Sequence, residues 1–239
     1  MAKERRPKAI SPFTPYIQGN SKFILGLKNV FSEQECQELI HRSEQHVYES
    51  ALVNFGGTGY VVDKTARDSD RVMLDDPTAA AEIFCRVRPW VPEHIDGCNV
   101  CGVNERLRFL RYNAAQQFAP HYDGCYERPD GRELSFLTIQ VYLNGHDLEG
   151  GETTFFDDEG NEQCKIRPYA RLVVLFDHNI LHEGSPVTAA GGSPKLWEST
   201  PRSRKPGSQT ESSEISRSLV CSRGQVQVYP LKTRVAMLN

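Results

Sequence analysis

The chain has 239 residues, a formal net charge of −3 at neutral pH and 38% hydrophobic residues, enough to build one sizeable core. So balanced a charge gives no general pull toward nucleic acid or acidic membrane surfaces, and no stretch approaches the roughly 18 apolar residues of a membrane span. The seven scattered cysteines fit reduced thiols inside a cell better than a secreted disulfide framework, which makes the expected compartment cytoplasmic or nuclear.

Along the chain, residues 1–19 read as a solvated tail. Lys3, Arg5, Arg6 and Lys8 sit there without the apolar core of a signal peptide. Ser32 and Glu35 form a capping box, Phe31 and Cys36 a hydrophobic staple, and Cys36, Leu39, Ile40 and Val47 an apolar stripe, together predicting a first helix. Residues 53–75 are polar and glycine-rich, carrying Arg67, Ser69 and Arg71. Asp76-Pro77 starts a second helix with Ile83, Phe84 and Val87 inward, and Pro89 ends it. Cys98-x-x-Cys101 has no second CxxC to complete a zinc site and reads as structural.

From residue 108 on, the chain turns to strands. Leu134–Leu143 is a long buried strand, the segment Gly150–Phe156 follows a turn, and Arg171–Phe176 is another apolar run. Short strands between Gly- and Asp-rich turns argue for an antiparallel barrel or jelly roll. His121-Tyr122-Asp123 places a His and an Asp two apart on extended chain, on one face. His182, fifty-nine residues later, would complete a two-His, one-carboxylate set that leaves open positions on a metal, as non-haem Fe(II) oxygenases require. His178 precedes it by four residues but falls where strand becomes turn, so it reads as a loop residue. Glu183 points to the other strand face, leaving no general base for a zinc hydrolase.

The ordered series Arg108-Phe109-Leu110-Arg111-Tyr112, His121-x-Asp123, Tyr142-Leu143-Asn144, Gly150-Gly151-Glu152-Thr153 and Leu181-His182-Glu183-Gly184 resembles the catalytic domain of the 2-oxoglutarate/Fe(II) dioxygenases, in particular the prolyl 4-hydroxylase alpha-subunit-like group. The resemblance covers about residues 20–190. It implies a mainly β fold with flanking helices, a double-stranded β-helix with the N-terminal helices packed on the major sheet. It also implies Fe(II), 2-oxoglutarate and O₂ as cofactors, ascorbate as reductant, and hydroxylation of a protein, peptide or small-molecule C–H with release of succinate and CO₂. His121, Asp123 and His182 would be the metal ligands. Tyr112, Tyr142 and Thr153 would face 2-oxoglutarate, and Arg67 and Arg71 the substrate.

The chain departs from the family after Val187. The cation that meets the distal carboxylate of 2-oxoglutarate is expected about ten residues past the last His, where this chain has Gly192. Lys195, Arg217, Lys232 and Arg234 are the candidate replacements. Residues 191–239 form an atypical, serine-rich tail of disordered composition, in which residues 226–229 or 233–238 can resume a strand. Either the tail is a long insertion before a closing strand, or the last strand is lost and the protein is a catalytically impaired, metal-binding variant.

Overall fold

The computed structural model describes residues 10–14, 22–54, 60–145, 148–190, 221–229 and 235–238. Its framework is two β-sheets closing on each other. The larger runs from Ser11–Phe13 through Ile24–Lys28, Leu172–Asp177 and Leu137–Tyr142 to Cys98–Tyr112, Asp70–Asp75 and Glu49–Ser50. The smaller has the order Glu162–Ile166, Thr153–Phe156, His182–Gly184, Phe118–His121, all antiparallel. Phe155 of the small sheet meets Phe176 of the large one edge to face, 5.1 Å between ring centroids. That contact lies at the centre of a core with Leu107, Phe109, Val141, Val173 and Leu175.

The strand Leu137–Tyr142 is buried at all six residues. Its alternation explains both faces. Leu137, Ile139 and Val141 share one side, while Thr138, Gln140 and Tyr142 share the other and turn polar atoms inward.

Helix α1, Glu33–Glu44, starts as its sequence dictates. The Glu35 amide donates to Ser32 Oγ at 3.2 Å and the Ser32 amide to Glu35 Oε2 at 2.6 Å, with Phe31 and Cys36 both buried. The stripe does not extend to Val47, which is 84% exposed. The helix stops first, because Ser43 fills the buried position of the last turn and bonds Ile40 carbonyl and Tyr48 hydroxyl at 2.8 Å each. Helix α2, Pro77–Val87, packs on Cys98–Tyr112 with Ala80, Ile83 and Val87 inward, and a 3₁₀ turn over Arg88–Trp90 carries Pro89. Arg86 joins the helices through Glu35 at 2.5 Å, and the salt bridge holds the Glu35 carboxyl down at about 2.

The described residues of the polar segment 53–75 include strands. Val53–Asn54 pairs with Tyr60–Val61, and Asp70–Asp75 is a strand along Cys98–Tyr112. Its residues alternate between sheet faces, a period that six residues with two terminal aspartates barely reveal.

Gly150 must be glycine. Its φ is +74°, and a Cβ there would lie 2.2 Å from the Pro186 carbonyl oxygen. This bulge delivers the chain from Leu148–Gly150 into Thr153–Phe156.

After His182, Val187–Ala190 pairs back onto Leu148–Gly150. The slot between Leu137–Tyr142 and Cys98–Tyr112 is filled by Cys221–Tyr229 and Val235–Leu238. Cys221–Tyr229 runs parallel to Leu137–Tyr142 and to Cys98–Tyr112, an exception to the antiparallel pattern, and antiparallel to Val235–Leu238. Gly192, Lys195, Arg217, Lys232 and Arg234 lie outside the described residues.

Candidate metal centre

The two histidines meet because their strands pair. His121 and His182 are direct register partners across the antiparallel strands Phe118–His121 and His182–Gly184, with ring centroids 4.3 Å apart. Asp123 lies just beyond the first strand, its amide donating to the His178 carbonyl at 3.1 Å. Its carboxylate comes to 3.7 Å from His121 Nε2 and 3.8 Å from His182 Nε2. The three donor atoms all lie within 4.8 Å of one another, close enough to be drawn onto one cation.

Each ring is oriented from behind. His121 Nδ1 donates to the Ala119 carbonyl at 2.8 Å and His182 Nδ1 to the Ile180 carbonyl at 2.9 Å, so both Nε2 atoms turn toward the carboxylate. His121 Nε2 is buried with no hydrogen-bond partner. Such an orphaned acceptor is what a metal would satisfy, and two imidazoles with one carboxylate suit Fe(II). Burial, with His182 beside it, pushes the His121 imidazole down to about 3, so it is neutral at neutral pH. Burial alone would raise Asp123; the imidazoles of His182, His121 and His178 and the Thr138 hydroxyl overcome it and hold the carboxyl at about 2.

The surrounding shell comes from both sheets. The Thr138 hydroxyl donates to Asp123 Oδ2. Phe176 stands edge-on to His182 at 4.7 Å, Phe155 is 6.0 Å from it, and Phe118 stacks on His121 at 3.5 Å. His178 is in the turn after Leu172–Asp177, yet it is buried and couples electrostatically to Asp123 and His182. Sequence alone did not single out Thr138, Phe118 or the two wall phenylalanines. Thr138 and Gln140 were nonetheless readable as polar residues two apart in an otherwise apolar strand.

Beside the triad, Tyr142 and Thr153 share a hydrogen bond of 2.6 Å, and Gln140 Nε2 donates to the same Thr153 oxygen at 2.8 Å. Both Tyr142 and Thr153 are buried, and burial pushes the Tyr142 phenol up, keeping it protonated. Tyr112 is buried next to Gly184 of the His182 strand. The structure therefore brings Tyr112, Tyr142 and Thr153 together on the inner walls. Arg67 and Arg71 lie at the other edge, where Arg67 stands 4.3 Å over the Phe118 ring. Cys98 is a free thiol, so the CxxC is not closed on itself. Cys101 is disulfide-bonded, which departs from the expectation of uniformly reduced thiols. Among the described residues no helix is long and apolar enough to cross a membrane.

Two facing sheets around a His-x-Asp…His cluster form a double-stranded β-helix. Residues 107–200 match the sequence model of the 2OG-Fe(II) oxygenase superfamily, and over a longer stretch the chain is similar to prolyl 4-hydroxylases. It is 27% identical over 205 residues to probable prolyl 4-hydroxylase 8 of Arabidopsis thaliana, covering 72% of this chain and 65% of that protein. Prolyl 4-hydroxylase 5 of the same plant is 25% identical over 203 residues, covering 72% and 65%. The chain thus spans about two thirds of the length of these relatives. Among solved structures, a Trichoplax adhaerens prolyl hydroxylase in complex with a hypoxia inducible factor peptide fragment shares the fold. Its TM-score is 0.52 at 18% identity, over 73% of this chain and 82% of that one.

Proposed function

We propose that this protein is an iron- and 2-oxoglutarate-dependent oxygenase that hydroxylates a C–H of a protein or peptide substrate of the prolyl type, releasing succinate and CO₂. The observation that carries this reading is the convergence of His121, Asp123 and His182, with the buried His121 Nε2 left without a hydrogen-bond partner. These three residues would hold Fe(II), which when bound supplies the oxygen chemistry. The chain's own residues orient and protect. The Ala119 and Ile180 carbonyls fix the tautomers of the rings, Thr138 fixes the carboxylate, and Phe118, Phe155 and Phe176 exclude water. Tyr112, Tyr142 and Thr153 are the residues assigned to 2-oxoglutarate, with Lys195 kept as a candidate for its distal carboxylate. Arg67 and Arg71 are assigned to the substrate, and ascorbate to reductant.

A second reading is favoured by the parallel course of Cys221–Tyr229 in the closing slot. In it the metal is held but the carboxylate anchor is missing, and the protein binds without turning over. Calorimetric titration of 2-oxoglutarate into anaerobic Mn(II)-loaded protein separates the two, with His182→Ala as control. Metal-dependent micromolar binding and iron-dependent succinate release support the enzyme. Metal binding without 2-oxoglutarate binding supports the impaired variant.

A further inference from the structure

We propose that Arg67, Arg71 and Arg108 form an anion-binding rim beside the metal triad, which selects peptides carrying a carboxylate side chain within about two residues of the position hydroxylated. The proposal deepens the oxygenase reading and rests on it.

Three observations place the rim. Arg67 pairs with Phe118 through an isolated backbone bridge and lays its guanidinium 4.3 Å over that ring, which in turn stacks 3.5 Å from His121. Arg67 Nε and Nη2 are nevertheless buried with no hydrogen-bond partner. A guanidinium with two buried, unmet donors is costly until an acceptor arrives, and a carboxylate can take both donors at once. Next, Arg71 faces Leu110 and Met73 faces Arg108 across the antiparallel strands, so Arg71 and Arg108 are diagonal neighbours on one sheet face. Both are desolvated and feel Arg67 as a like charge.

Arg108 faces Asp123, which belongs to the triad, and Arg71 faces the exposed Glu49 and the Tyr60 phenol. In a chain of net charge −3, three neighbouring arginines at the site run against the average.

Position decides which ligand they serve. Phe118 is on the outer strand of the small sheet, two strands (about 10 Å) from Thr153. An anion at Arg67 is therefore a different group from one bound by Thr153 and Tyr142. Arg67 stands on the side of the triad away from Thr153, where Arg71 faces the exposed Tyr60 and the exposed Tyr122 adjoins His121. Such an apolar surface flanking a cationic rim suits an extended peptide.

The test titrates blocked octapeptides alternating Glu-Pro, Gln-Pro or Lys-Pro into the full chain loaded with Mn(II) and 2-oxoglutarate under anaerobic conditions. Glu-Pro binding at least tenfold tighter than Gln-Pro is expected, weakening with salt, with the ratio falling to within twofold in Arg67→Gln and in Arg71→Gln. Arg71 lies on a short strand near the sheet edge, so Arg71→Gln serves should Arg67→Gln fail to fold. Equal affinities for the three peptides, no binding of any, or an unchanged ratio in both variants would overturn the rim. So would loss of 2-oxoglutarate binding in Arg67→Gln, which would give the cluster to the cosubstrate. Succinate release is measured separately. A Glu preference without turnover keeps the rim and removes the oxygenase reading, and turnover without a preference does the reverse.

Discussion

Thr138→Val tests how the triad carboxylate is held. Thr138 is buried at 1% exposure in the middle of Leu137–Tyr142, and its hydroxyl donates to Asp123 Oδ2. Valine keeps the shape and removes the donor. A hydrogen bond to a charged group contributes about 1.5–3 kcal/mol, and the carboxylate here is too buried for water to replace it easily. The metal-free protein should lose about that much stability, a fall in melting temperature of about 3–12 °C for a domain of this size. Freed of its partner, Asp123 can rotate away from the two imidazoles, and the loss of such an outer partner lowers metal affinity about 10–100-fold. Calorimetric titration of Mn(II) and a thermal melt measure the two effects, and Thr138→Ser should restore most of both. A metal affinity within twofold of wild type in Thr138→Val would refute the idea that this hydroxyl sets the carboxylate.

Three further outcomes are expected. His121 sits at about 3 in the folded protein, below its ordinary 6.5, so only the unfolded chain takes up its proton across that window. Stability of the metal-free protein should be full above pH 6.5 and fall by about 1.4 kcal/mol per unit below it, with the loss of charged Asp123 adding between about 3.8 and 2; urea midpoints that stay flat from pH 7 to 5 would contradict a buried neutral imidazole. Gly150→Ala forces a side chain into a left-handed residue against the Pro186 carbonyl and should cost about 2–4 kcal/mol in chemical denaturation. Tyr142→Phe removes one partner of Thr153 and should weaken 2-oxoglutarate binding roughly five- to tenfold, about 1 kcal/mol, while Mn(II) affinity stays within twofold.

The sequence was most legible where chemistry is local. The capping box at Ser32 and Glu35 and the Asp76-Pro77 helix start each depend on residues a few positions apart, and each stands where its local chemistry put it. The apolar run over residues 134–143 marked a buried strand, which the structure shortens to Leu137–Tyr142 after a separate Glu133–Leu134, and the order of the motifs singled out His121, Asp123 and His182. The extension of the first helix to Val47 failed because Ser43 makes contacts, with Tyr48 among them, that spacing does not encode.

What tertiary structure decided was every contact between residues far apart in the chain. It made His121 and His182 register partners, set Thr138 against Asp123, and joined Tyr142 to Thr153 across the two sheets. It also brought Arg67 over Phe118 and put Arg71 diagonal to Arg108. A strand's alternation states which side chains share a face, but strand pairing decides what that face meets. The tail shows the same division: its composition marks residues 191–239 as unlike the rest, while pairing alone sets Cys221–Tyr229 parallel beside Leu137–Tyr142.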